Sequence, residues 1–411
     1  MITSGTLVDS ATGQARIAAR LAEPAPGRIQ LLIGPRQVGK TTLLLELART
    51  HPGAIYIAAD GPEAELPGWW DRLWHRAEEI AASRGQAVVL LDEIQRVEDW
   101  AAKLKGRWDR IHRLRLPIHL VATGSSALHL GRGSRETLAG RFERMVLPHW
   151  SASALAQVFG LTIDQAVDTI VAWGGYPGAI PLAAEPDRRR AYLRDAIIEP
   201  AIGRDLLALH PVRRPALLRQ VFALAARAPA QIVSIQKLQG QLQDKGAMAT
   251  IAHYLGLLED AFLVAALEKH SSRPIRQRAA PPKLVVLSNA ILAAQDPRGA
   301  PDRSADPARF GAWVENACLS HAWNAGQEVR YWREEPVEVD GVLDGSWGQW
   351  AIEVKTGEFG ARDLAGLVEF VRRFPAYRPL VLCDEDRLTV ALRAGVQGMP
   401  WRRFLAGDQL T

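Results

Sequence analysis

The chain has 411 residues, a net charge of +5, 48% hydrophobic and 23% charged residues, a balance that describes packed globular domains and excludes a disordered chain. Such a length exceeds what one core fills, so several domains are expected. No uncharged apolar stretch approaches the ~20 residues that cross a bilayer, the N-terminal MITSGTLVDSATGQARIAAR lacks an export-signal core, and Cys318 and Cys383 have no metal-ligand spacing; a reducing, cytoplasmic setting with no membrane partner is expected.

QLLI at 30–33 reads as a short buried strand, followed at once by Gly34, Pro35, Arg36, Gln37, Val38, Gly39, Lys40 and Thr41 and then by the helix formers of Thr42–Arg49. Strand, glycine-rich loop and helix N-terminus are the context that a phosphate-binding G-x-x-x-x-G-K-[ST] loop requires. Gly34 and Gly39 let backbone N–H groups point at phosphate oxygens, together with the helix dipole. Lys40 is expected to bridge the β- and γ-phosphates and Thr41 to hold Mg²⁺, with ATP as cofactor. Ala87–Leu91 is a continuous apolar run of the kind buried on both faces of a sheet, and it ends in Asp92 and Glu93. Asp92 is expected to bind the Mg²⁺ through water, and Glu93 to polarise the attacking water. A third strand, IHLVATG, precedes Ser125; Ser125 or Thr123 suits a polar position near the γ-phosphate. Serines after a strand also serve as turn residues. Arg141 or Arg135, in SRETLAGRFERMVL, is a candidate finger for a neighbouring subunit's ATP, the alternative being a surface arginine.

Residues 151–205 read as helical, with GGYPGAI at 174–180 as a turn between helices. Arg194, Arg204 and Asp205 there suit either a nucleotide or subunit contact or a solvated helix face. GPRQVGKTTLL, LLDEIQRVEDW, VATGSSALHL, LAGRF and GGYPGAI together resemble bacterial and archaeal AAA-type ATPases that carry a C-terminal domain of unknown function with a nuclease-like end. The resemblance spans nearly the whole chain and implies an oligomeric, ring-forming ATPase, expected to be a hexamer.

PALLRQVFALAAR, SIQKLQGQLQ and GAMATIAHYLGLLED read as three helices, followed by strands AFLVAAL and PKLVVL. That order is the one of a winged helix-turn-helix. The third helix would offer Lys245, Thr250, His253 and Tyr254, and the acid-free run with Lys269, Arg273, Arg276, Arg278 and Lys283 would be a wing making salt-dependent DNA phosphate contacts. A winged helix used for protein packing is the alternative.

The last hundred residues combine a helix carrying Glu315, strands carrying Asp340 and Glu353, and Lys355 two residues on. Asp340 and Glu353 suit a shared Mg²⁺ and Lys355 a water-orienting cation. This constellation resembles the PD-(D/E)xK nuclease core, which implies Glu315 as a helical acid. An exposed, alternately charged strand gives the same pattern.

The expected architecture is α/β: an AAA-type P-loop core at 1–150, a helical lid at 151–208, a winged helix at 209–295 and a PD-(D/E)xK-like α/β domain at 296–411. The expected activity is ATP hydrolysis driving translocation or remodelling of branched or duplex DNA. Two alternatives are an ATP-gated metal-dependent nuclease and an ATP-controlled switch that assembles with a protein partner.

Overall fold

The computed structural model describes residues 6–7, 10–125, 137–207, 212–242, 247–272 and 280–410. The chain divides into two compact units, Met1–Pro148 and His149–Thr411.

The first unit is a six-stranded sheet in the order β1-β6-β2-β5-β4-β3, comprising β1 (Thr6–Leu7), β2 (Ile29–Gly34), β3 (Ala54–Ala58), β4 (Ala87–Asp92), β5 (Ile118–Ser125) and β6 (Phe142–Val146). All its pairings are parallel. The apolar runs of β2 and β4 are buried at every position, as parallel strands covered on both faces require. The chain leaves β2 for the far edge at β3, returns through β4 to β5, and crosses to β6 on the other side of β2. Ligands in such sheets gather where the order reverses, beyond the carboxyl ends of the strands. The register sets Gly34 beside Ser125 and Ala58 beside Asp92 at that edge. Helix Lys40–Thr50 follows β2 and buries Leu43, Leu44 and Leu47. Gly34 has a packing duty as well, because a Cβ there would lie 2.0 Å from the Leu147 carbonyl oxygen.

The second unit begins with helices Ala152–Phe159 and Ile163–Trp173, the latter opened by a capping box of Thr162 and Gln165. GGYPGAI follows. Gly174 has φ of 68°, and a Cβ on Gly175 would lie 2.2 Å from the Trp150 carbonyl oxygen, so both glycines serve close backbone packing. Pro186–Tyr192 then runs on through wider turns of π type to Leu206.

Helices Pro215–Ala226, Ile235–Gln241 and Met248–Asp260 accompany an antiparallel sheet in the order β7-β9-β8, with β7 (Gln231–Ile232), β8 (Val264–Leu267) and β9 (Lys283–Val286). This is the winged-helix order, with β7 as an added strand between the first two helices. The end domain opens with helix Pro307–Asn324. It continues through the antiparallel run β10 (Glu328–Glu334), β11 (Val337–Asp344) and β12 (Trp350–Val354), then helix Ala365–Arg373, and closes with β13 (Arg378–Cys383) and β14 (Gln397–Pro400) parallel to β12. Trp332, Val339, Val342, Ala351, Phe370 and Val381 belong to its core. Among the described residues no helix is long and apolar enough to cross a membrane.

Gly366 lets helix Ala365–Arg373 lie directly on β11, since a Cβ there would sit 2.0 Å from the Glu338 carbonyl oxygen. Gly366→Ala is expected to destabilise the second unit by about 1–3 kcal/mol through overpacking. Gly357→Ala, where a Cβ meets nothing within 4 Å, should change stability by no more than about 0.5 kcal/mol. Urea unfolding followed by tryptophan fluorescence compares the two, and equal midpoints would remove the close approach as a constraint.

Candidate nucleotide site and a second charged cluster

At the carboxyl edge of the first sheet, β2 turns into a loop in which Gln37 has φ of 58° and Gly39 φ of 100°. Gly39 precedes helix Lys40–Thr50, which has no side-chain cap. Its first N–H groups therefore face outward as an anion site. Pro35 and Val38 are buried, Arg36 half-buried, and Gln37, Thr41 and Thr42 exposed. Lys40 is buried, and its Nζ donates to the carbonyl oxygens of Gly34 at 3.0 Å and Pro35 at 2.6 Å. The ammonium is thus anchored inside the curl of the loop.

Asp92 is buried and heavily hydrogen-bonded. The Thr123 hydroxyl and the Glu93 N–H donate to its Oδ1, the latter at 3.1 Å, and the Tyr56 hydroxyl donates to Oδ2 at 3.1 Å. Burial, reinforced by the Asp92 charge, raises the Tyr56 hydroxyl well above its ordinary value. Glu93 sits at φ of 52°, outside the strand, and the Gln95 amide donates to its Oε2. The donor set fits a magnesium nucleotide, with an uncapped helix and an ammonium for phosphate, and Thr41 and Asp92 as oxygen ligands. Of the two alternatives near the γ-phosphate, Thr123 touches Asp92. Ser125 ends β5, and its side chain lies outside the described residues, as does Arg135. Tyr56 and Gln95 were missed by sequence reasoning. The alternation of AIYIA, which puts Tyr56 on the same face of β3 as Ala58, was the available signal.

Arg141 stands at the other edge of this sheet, where its carbonyl accepts the Ile29 N–H at 2.8 Å. Its guanidinium donates to Asp109 at 2.9 Å and lies 5.5 Å from the Trp108 ring. The structure does not bring it to the phosphate loop of its own chain.

Residues 26–155 match the family described as an AAA domain. The core is an AAA-type P-loop ATPase domain. Residues 164–302 and 310–404 match two domains of unknown function, DUF8612 and DUF4143. The chain is 28% identical over 339 residues to the uncharacterized proteins Rv2008c of Mycobacterium tuberculosis and Mb2031c of Mycobacterium bovis, covering 80% of this chain and 70% of each of theirs. Similar solved structures include Aeropyrum pernix ORC1 in complex with DNA, at 16% identity and a TM-score of 0.31 over 75% of this chain and 94% of that one. AMPPCP-bound DnaA from Aquifex aeolicus gives 14% and 0.32 over 62% and 89%, and Thermotoga maritima RuvB T158V 17% and 0.33 over 62% and 88%.

In the second unit, the wing residues divide. Arg273, Arg276 and Arg278 lie outside the described residues, as does Lys245. Lys269 pairs with Glu334 at 3.2 Å. His270 packs among Phe370, Phe374 and Tyr377, and burial pushes its imidazole down to about 4. Lys283 corrects the expectation of a DNA contact, because its side chain is only 1% exposed and points into the end domain. Tyr254 is likewise buried, its hydroxyl accepting the Arg214 N–H at 3.2 Å, while Thr250 is half-buried and His253 exposed. Arg194 pairs with Asp195 on an exposed face, Arg204 is exposed and Asp205 buried.

Glu315, Asp340, Glu353 and Lys355 do come together. β11 and β12 pair with Gly341 opposite Ile352, which sets Asp340 alongside Glu353. Asp340 Oδ2 accepts the Val354 N–H at 2.9 Å, and Lys355 donates to Glu353 Oε1 at 2.8 Å. Lys283 Nζ lies 2.6 Å from Glu315, 3.2 Å from Asp340 and 3.5 Å from Glu338. Burial, with the Asp340 charge behind it, pushes the carboxyls of Glu315 and Glu353 up to about 8. Burial also works to raise Asp340, but Lys283 and the Val354 N–H hold it below the usual carboxylate range. Among the described residues no group of three or more His, Cys, Asp or Glu is arranged to hold a metal ion. With an ammonium among its carboxylates, this set does not fit a divalent cation.

Tyr56→Phe removes one of the hydrogen bonds that fix Asp92. Loss of such an outer partner should lower metal-dependent ATP turnover by about tenfold, while nucleotide affinity measured in EDTA stays unchanged. Parental turnover would take Tyr56 out of the site.

Proposed function

We propose that the protein hydrolyses ATP in its first unit and uses the cycle to act on DNA through the second. The convergence of Lys40, Thr41, Asp92 and Glu93 on one sheet edge carries the reading. Lys40 and the N–H groups of the loop neutralise and orient the phosphates. Thr41 and Asp92 would hold Mg²⁺, which supplies positive charge against the β- and γ-phosphates. Thr123 and Tyr56 fix Asp92. Glu93, held by Gln95 beyond the end of β4, accepts a proton from the attacking water.

Lys40→Ala is expected to lose most nucleotide binding. Glu93→Gln should bind ATP yet turn it over at least about a hundredfold more slowly, as loss of a general base demands. Equilibrium nucleotide binding and phosphate release measure the two, and a parental rate in Glu93→Gln would end the base assignment.

Arg141 is assigned to a neighbouring subunit's ATP in a ring, since its own phosphate loop is at the other sheet edge; reaching a neighbour requires it to leave Asp109. Mixing Arg141→Ala with Glu93→Gln chains should then restore part of the lost turnover. No recovery despite subunit exchange would count against a shared site.

The DNA part of the proposal rests on Arg273, Arg276 and Arg278, an acid-free stretch between β8 and β9. Neutralising the three together should weaken duplex binding uniformly across sequences and flatten its salt dependence by about 0.9 log units per phosphate contact removed. A second reading, an ATP-controlled switch on a protein partner, is favoured by the Met248–Asp260 helix. Its exposed positions Met248, Ala249, Ala252, His253 and Gly256 include no lysine or arginine. Unchanged affinity and salt slope in the triple variant would favour that second reading.

A further inference from the structure

The acid cluster of the end domain already has a cation. We propose that the Lys283 ammonium takes the place of the divalent ion in this nuclease-like site, so that the carboxylates clasp a strand of the chain's own winged helix and the domain does no metal-dependent cleavage.

Lys283 comes from outside the end domain, on β9, the middle strand of the three-stranded sheet. Its backbone is held on both sides, with Ile232 opposite it on β7 and Leu267 on β8. The lysine is therefore presented at a fixed place by a fixed register. Its Nζ lies within 3.5 Å of Glu315, Glu338 and Asp340, and donates also to the Asp340 carbonyl at 3.2 Å.

Magnesium binds oxygen at about 2.0–2.1 Å and demands near-octahedral geometry. The ammonium stands where the oxygens of Glu315 and Asp340 converge, and a second cation there would face both its volume and its charge. Two further oxygens are also engaged, since Asp340 Oδ2 takes the Val354 N–H and Glu353 Oε1 takes Lys355, while Glu353 Oε2 is buried with no hydrogen-bond partner. Access is not the obstacle, because a cavity of about 520 Å³ opens onto Glu315 and Lys355. What separates this cluster from a metal site is the residue that fills it. Asp340 of the D…ExK pattern, together with Glu315 and Glu338, clasps a like-charged group brought in from β9 in place of the ion.

Mn²⁺ titration of the nucleotide-free full chain, followed by the electron paramagnetic resonance of free Mn²⁺, tests this. Parental protein and Asp340→Asn should give superimposable titrations. Lys283→Met, which keeps the length of the side chain without its charge, should gain a Mn²⁺ site at least about tenfold tighter than any in the parent. That site should vanish in Lys283→Met combined with Asp340→Asn. A parental Mn²⁺ site abolished by Asp340→Asn or by Glu353→Gln would overturn the proposal, and this comparison stands even if Lys283→Met fails to fold. A folded Lys283→Met that binds no Mn²⁺ would overturn it too, because the ammonium would then not occupy a cation position.

Discussion

An ammonium taken out of water carries a desolvation penalty of several kcal/mol unless carboxylates surround it. Lys283 meets that condition, and much of the second unit is arranged so that it can. Burial works against its charge, but Glu315 and Asp340 outweigh the burial and hold the ammonium protonated well above its ordinary range. Because the lysine sits on β9 and its partners on helix Pro307–Asn324 and β11, the pairing fixes the three-stranded sheet on the end domain. The other end of the same segment is fixed as well, by Lys269 on Glu334 and by the His270 ring among three aromatic side chains.

The same rule governs the first unit, with opposite sign. Asp92 ends a strand buried on both faces, and its carboxylate is surrounded by hydroxyl and N–H donors from β3, β5 and its own chain. Lys40 satisfies its ammonium on two backbone carbonyls of the loop that it closes. Phosphate can replace those carbonyls, since they are neutral acceptors. Lys283 is held instead by Asp340, a carboxylate kept below its usual range and so charged, which cannot be displaced in the same way. This difference makes one cluster a receptive site and the other a permanent joint.

How much of this was legible in the residues differs between the two sites. The phosphate loop, the acidic strand end and their order along the chain need only local patterns: a glycine spacing, an apolar run, a helix start. The elements of the end domain and the positions of Glu315, Asp340, Glu353 and Lys355 within them were legible for the same reason. Lys283 was misread because the run from Lys269 to Lys283 looks homogeneous in sequence. Composition cannot separate a solvated cation from one whose partners are contributed by a helix and a strand 32 and 57 residues away. Tyr254 was misread on the same ground, since a helix periodicity does not say which polar side chain points inward to cap Arg214.

The sequence by itself determined the parallel P-loop core, the order of three helices before two strands and the places of the end-domain acids on their elements, since each follows from local periodicity and the fixed geometry of strand, turn and helix. Tertiary structure alone decided which charges face one another. It put Tyr56 and Thr123 on Asp92, placed Arg141 at the far edge of the sheet from its own phosphate loop, and filled the acid cluster with Lys283. Charge pairing depends on distances between residues far apart in the chain, and only the packed sheets set those distances.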